Sequence, residues 1–314
     1  MRYAATVPEN EHKAWRIIGR CFAVLMITLL CLALLLSGAV VLYLKGPSVE
    51  ARERFVTTIY EYDALRFIPR LLLTQEEIDA ALTAHRVPQN NALTDTSSKA
   101  EFEKPQGDLA SITVTDIVGD GFTGKLLTVQ DPARVNIAYA IDNTELTAHQ
   151  FTKSLAATAG INGGTLVLQE GLPLTKETVI PSVIAFDKDN RLVVGRFTMA
   201  DAEKHGIYDA ISAGPALVVD GVAAEFIGEG SGLAPRAAVG QRADGAILML
   251  VLDGYQPNSL GATYLDCAEL MVKYGAINAA CTDNAAMLVY NDKIISARTL
   301  LPVDLASPSA LVVQ

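Results

Sequence analysis

No cluster of Lys or Arg interrupts the acidity of this chain. Its 35 Asp and Glu outnumber 25 Lys and Arg, giving a formal charge of −10 and a sequence pI near 4.9. Nucleic acid is therefore not expected as a partner, because binding it depends on neutralising phosphates. Histidine is scarce as well. His12, His85, His149 and His205 lie far apart with no ligand spacing, so no metal site is expected. The four cysteines make no disulfide framework. Cys21 and Cys31 fall in an apolar segment, which leaves Cys267 and Cys281 either to bridge in an oxidising compartment or to stay as buried thiols. No internal repeat is present.

What the chain has is apolar residue: 50% of its 314 positions, with Val, Ile, Leu and Gly frequent. That composition argues for a sheet-rich globular core. The 24 residues Cys21–Leu44 carry no charge. At 1.5 Å per residue they are long enough to cross a hydrocarbon core of roughly 30 Å. Ser37-Gly38-Ala39 could be a cleavage site, but the run exceeds the roughly 7–15 residues of a signal core, so an uncleaved anchor is expected. Arg2, Lys13, Arg16 and Arg20 precede the span and Lys45, Arg52 and Arg54 follow it, a slight bias toward an inside N-terminus. The expected organisation is a cytoplasmic tail (1–16), a transmembrane anchor (17–45), a helical juxtamembrane segment (46–85), a polar linker (86–107) and an extracytoplasmic domain (108–314). The protein is thus expected to be single-pass, with the membrane as a partner.

Within 50–85 two short amphipathic helices are predicted, the second opened by a capping box at Thr74 and Glu77. The domain begins with a hairpin, ITVTDIVGDGFTGKLLTVQD. Gly119, Gly121 and Gly124 have dinucleotide-site spacing, and Gly124-Lys125 resembles a phosphate loop. However, Leu126 stands where Ser or Thr is needed, and a strand follows where a helix is required. No cofactor is expected. Further helices are predicted at about 145–158 with Asn143 or Thr144 as cap, at 199–205 ending at Gly206, and at Thr263–Lys273 with Thr263 and Asp266 at its start and Gly275 at its end. Leu265, Ala268 and Val272 fall on one face of the last helix, predicted to pack on the sheet. Hairpins punctuated by a few helices indicate an α+β fold with mixed or antiparallel sheets.

Two stretches attract chemical interest. Ala216–Val219 and Ala246–Leu252 read as buried strands, each closed by Asp-Gly. Between them a Gly-rich loop, Gly228–Gly232, leads to Ala234-Pro235-Arg236. The arginine fork could hold a phosphate or carboxylate beside Asp253, or be an ordinary surface arginine. In Ala159–Gly164, Asn162-Gly163-Gly164 reads either as a plain turn or as a backbone open to ligand with the Asn162 amide free.

Taken in order, DPARV (131–135), AGINGG (159–164), SAGPALVVDG (212–221), APRAAVGQRADGA (234–246), LVLDG (250–254), SLGATYLDCAELM (259–271) and GAINAA (275–280) resemble the phosphodiester glycosidase domain family. The resemblance runs from about residue 108 to the end. It implies hydrolysis of a sugar–O–phosphate bond, with a sugar-phosphate glycan as substrate or ligand. On that resemblance Arg236 becomes the phosphate clamp, and Asn162, Gly163 and Gly164 substrate-binding residues. Asp253 and Asp283 become the catalytic carboxylates, a pair being the usual glycosidase apparatus. Relatives carry Asp-Gly-Gly-Ser-Ser where this chain reads Asp283-Asn284-Ala285-Ala286-Met287. The expected activity is hydrolysis or recognition of sugar-1-phosphodiester linkages in cell-envelope glycans. The alternative is a catalytically degenerate sugar-phosphate-binding or structural envelope protein.

Overall fold

A computed structural model describes residues 9–88, 92–95, 108–141, 144–282, 287–296, 299–301 and 305–314. It begins with one long helix, α1 (Glu9–Lys45), of which Trp15–Lys45 is long and apolar enough to cross a membrane. Its last turn is not isolated. Leu44 is buried with Val56, Leu73, Ile78 and Ala81 of the next segment, Tyr43 stacks on Phe55, and Lys45 pairs with Glu77 at 3.3 Å. That segment contains α2 (Val49–Tyr60), the single turn α3 (Phe67–Arg70) and α4 (Gln75–Ala84). Thr74 and Glu77 form the predicted capping box, satisfying two donors at the start of α4.

Among the described residues three antiparallel sheets and one two-stranded ladder build the rest. The largest has seven strands, in the order Ile112–Val118, Thr123–Val129, Ile247–Leu252, Arg236–Arg242, Ala276–Cys281, Ala216–Val219 and Val222–Ala223. One five-stranded sheet centres on Ala210–Ser212 and Val179–Phe186, the other on Ala159–Asn162 and Ser309–Val313. Every pairing among the described strands is antiparallel, so the α+β expectation resolves to the antiparallel case. Alternation splits the seven-stranded sheet. Ala237, Val239, Met249 and Val251 face the two smaller sheets, while Ala238, Leu250 and Leu252 face a helix on the outer side.

The remaining helices are α5 (Ala148–Ser154), α6 (Met199–His205) and α7 (Tyr264–Lys273). α5 is shorter than predicted, and its cap is Thr147, boxed with Gln150, not Asn143 or Thr144. Leu146–Thr147 forms a two-stranded ladder with Ala306–Ser307, which delays the helix start. α6 ends at Gly206 in the left-handed conformation, as its sequence predicts. α7 starts at the predicted Thr263–Asp266 capping box but buries Cys267, Ala268 and Met271, leaving Val272 half exposed. The sheet-facing stripe is therefore rotated from the one expected. Cys267 and Cys281 are free thiols. A hydrogen bond to Cys281, reinforced by burial, holds the Cys267 thiol above its usual range.

The polar segment before the domain makes contacts that its composition conceals. Thr94 is buried, its N–H donates to Val194 O at 3.1 Å, and its hydroxyl donates to Asn278 Oδ1 at 3.1 Å. Gly195, at φ 113°, has no room for a side chain because a Cβ would sit 2.2 Å from Ala92 O. A fragment of residues 86–314 is therefore expected to be more stable than 105–314 by about 1–3 kcal/mol, read as a higher denaturant midpoint. Identical midpoints would show that residues 92–95 contribute nothing.

Candidate functional site

Several strand ends converge at one end of the seven-stranded sheet: the start of Arg236–Arg242, the end of Ile247–Leu252, the end of Ala276–Cys281 and the start of Ala216–Val219. Gly214 joins this group through its N–H to Cys281 O at 2.9 Å, and Thr282 through its N–H to Ala237 O at 3.0 Å. Arg236 opens its strand here and is 8% exposed. Its guanidinium lies 4.1 Å from the centre of the Tyr264 ring, the first residue of α7. Nε donates to Ala262 O at 3.2 Å, and Nη2 to Gly232 O at 3.0 Å and to Glu61 Oε1 at 2.8 Å. Burial opposes the charge of Arg236, but Tyr264 and Glu61 outweigh it and raise the pKa. The guanidinium therefore stays cationic. Burial likewise pushes the neighbouring Tyr264 phenol upward and moves Tyr255 up to about 12.

Glu61 follows α2, so the anion in the arginine fork comes from the juxtamembrane segment. The Gly-rich loop explains how it gets there. Gly232 N–H also donates to Glu61 Oε1, at 3.1 Å, and Leu233 N–H donates to Thr58 Oγ1 at 3.2 Å. A Cβ on Gly232 would meet the Thr57 backbone at 2.4 Å, and one on Gly228 the Ala84 carbonyl at 2.4 Å. Glu229 is ion-paired with Arg54, and its N–H donates to His85 Nδ1. These glycines let the helices of residues 49–85 approach the domain backbone. Over this junction lies a cleft of about 400 Å³, lined by Glu61, Arg66, His85, Arg86 and Tyr264 among others.

The other predicted residues are placed differently. Arg236 pairs with Leu252, so Asp253 falls on the alternate side of the sheet from Arg236. There Asp253 Oδ2 accepts from Thr123 Oγ1 at 3.3 Å, its N–H donates to Thr123 O at 2.8 Å, and its carbonyl accepts from Ser259 Oγ at 2.7 Å. The expected arginine with an acid beside it does have an acid, but that acid is Glu61. Asp283 lies outside the described residues.

Asn162 is fully buried at the end of a central strand, not in a turn, and its amide is not free. Nδ2 donates to Leu305 O at 2.5 Å, and Oδ1 accepts from Met287 N at 2.8 Å. Gly163 and Gly164 admit the chain's own serines. Ser307 Oγ donates to Gly163 O at 3.2 Å, Ser309 Oγ donates to Gly164 O at 2.5 Å, and a Cβ on Gly163 would meet Ser309 Oγ at 2.3 Å. Asn162→Ala leaves the part-buried Leu305 carbonyl and Met287 N–H without partners. It should lower unfolding stability by about 2–4 kcal/mol in a denaturant titration. A loss below about 0.5 kcal/mol would contradict this structural assignment. Sequence reasoning missed Glu61 altogether, since nothing local marks one acid of the juxtamembrane segment.

With this geometry in place, comparison identifies the class. The phosphodiester glycosidase family model matches residues 136–296, just over half the chain. This protein belongs to that family. A structure of the zebrafish N-acetylglucosamine-1-phosphodiester alpha-N-acetylglucosaminidase catalytic domain, auto-inhibited by its pro-peptide, is similar at TM-score 0.51 and 17% identity, over 65% of this chain and 82% of that one. A hypothetical protein from Synechocystis superposes at TM-score 0.46 and 12% identity, over 65% of this chain and 62% of that one. No protein of curated function matches.

Proposed function

We propose that this protein is a membrane-anchored phosphodiester glycosidase that takes a sugar-1-phosphodiester of a cell-envelope glycan, with the phosphate received by Arg236. The observation that carries the reading is the buried guanidinium, already holding a carboxylate beside a loop of glycines within the family-matched span. A guanidinium fork binds two phosphate oxygens as readily as a carboxylate. Glu61 is therefore a resident anion that substrate phosphate displaces. Asp283 is the proposed acid–base or nucleophilic carboxylate. Asp253, bonded to Thr123 and Ser259, positions the strand end. The anchor is Trp15–Lys45, and packing of Leu44 and Tyr43 on the next helices favours its retention over cleavage. The domain begins near residue 108, outside the cytoplasm, and sugar-phosphate glycan is its partner.

A second reading, sugar-phosphate binding without turnover, is favoured by one observation. The Asn162 carboxamide is committed to Leu305 and Met287 and offers substrate little. Purified full-length protein in detergent, assayed on a panel of sugar-1-phosphodiesters, separates the two readings. Release of sugar that falls about 100-fold in Asp283→Asn, and far less in Asp253→Asn, is the result expected of the enzyme. Binding without release supports the second reading. Wild-type hydrolysis untouched by Arg236→Ala contradicts the proposed site.

A further inference from the structure

A second cavity, of about 440 Å³, adjoins the cleft lined by the Arg236 partners Glu61, Gly232 and Tyr264, and shares Val87 and Pro215 with it. Its interior wall is built by an irregularity in Val179–Phe186. Ile180 pairs with Phe197, but Val183 already pairs with Gly195, so Pro181 and Ser182 together face Arg196. Such a bulge re-aims side chains, and Pro181 suits it because proline donates nothing to a ladder. The re-aimed residue is Ser182, which is 7% exposed and lines the cavity. Its backbone carbonyl accepts from Ala213 N at 3.0 Å, yet its hydroxyl has no hydrogen-bond partner among the described residues. Native interiors rarely leave a buried hydroxyl unsatisfied, and such groups mark positions completed by a ligand or water. Exposed Arg196 stands at the rim. The other walls are largely proline, valine and the Ala213–Ala216 backbone.

We propose that this cavity is the sugar subsite, taking a pyranose ring whose phosphate points toward Arg236; this rests on the reading of Arg236 as the phosphate site. A pyranose has apolar C–H faces for the valine and proline walls, and hydroxyls for Ser182 inside and Arg196 at the mouth. The volume lies within the range of small-ligand sites, about 300–1,000 Å³. Among the described residues the lining of the cavity has no buried charge, so it suits a neutral ring better than a bare anion.

The test is calorimetric binding of N-acetylglucosamine 1-phosphate, N-acetylglucosamine and inorganic phosphate to the full-length protein in detergent. Ser182→Ala should weaken N-acetylglucosamine 1-phosphate roughly three- to tenfold and leave inorganic phosphate unchanged. Because the deleted hydroxyl has no partner among the described residues, the unfolding midpoint should not fall, whereas a structural hydroxyl would lower it. Arg196→Gln should weaken the same ligand by a similar factor. Sugar-phosphate binding that is equal in wild type, Ser182→Ala and Arg196→Gln overturns the subsite, while its loss in Arg236→Ala leaves the phosphate reading standing. Sensitivity to Ser182→Ala with none to Arg236→Ala does the reverse. Failure of wild type to bind any of the three probes overturns the subsite as well.

Discussion

Arg236→Ala is expected to abolish sugar-phosphate binding and to destabilise the protein by about 3 kcal/mol. The guanidinium is buried and satisfies two carbonyls, one carboxylate and the face of Tyr264 at once. Deleting one member of a buried ion pair typically costs about 3–5 kcal/mol, because the other charge is left without compensation. Glu61 keeps partial access to solvent, its side chain being 23% exposed, which places the loss at the lower end. The Gly232 and Ala262 carbonyls lose their donor in the same step. Arg236→Lys retains the charge but not the fork, and should recover part of the stability with little of the binding. Chemical denaturation and calorimetry on the same preparations check both halves. A variant of near wild-type stability would show that the α2 junction is held by something else.

Glu61→Gln should act in the opposite direction on binding. On the proposed function the carboxylate competes with a substrate phosphate for the same cation. Replacing it with a neutral amide removes a charge-assisted bond worth about 1.5–3 kcal/mol. Affinity for N-acetylglucosamine 1-phosphate should rise about tenfold or more. The unliganded variant should also be less stable than wild type, since Arg236 remains buried without its anion. Saturating ligand should therefore raise the melting temperature further in Glu61→Gln than in wild type. Equal or weaker affinity in the variant would mean that Glu61 is only a structural tether between α2 and the domain.

Much of the fold can be read from local chemistry. The capping boxes at Thr74 and Thr263 and the Gly206 stop each depend on residues within a few positions of one another. The site depends on separations that local rules do not reach. Arg236 is conspicuous behind Pro235, but its partner Glu61 lies 175 residues earlier and becomes a neighbour only when α2 docks on Gly232. Asn162-Gly163 has the composition of a tight turn. Pairing with Ser309–Val313 on one side and Leu288–Tyr290 on the other makes Ala159–Asn162 a central strand. Tertiary pairing there overrides a turn preference worth little by itself. Placing Asp253 beside Arg236 fails for a different reason. Once Arg236 pairs with Leu252, the alternation of a strand sends the next residue to the other face, and that register cannot be read before the hairpin is known. The polar composition of 86–107 likewise conceals Thr94, whose burial depends on Val194 and Asn278.

The most direct measurement is a crystal structure of the Glu61→Gln protein with N-acetylglucosamine 1-phosphate bound. The account predicts two phosphate oxygens within about 3 Å of the Arg236 guanidinium, with residue 61 displaced from the fork. A phosphate bound elsewhere, with residue 61 still seated on Arg236, would contradict it.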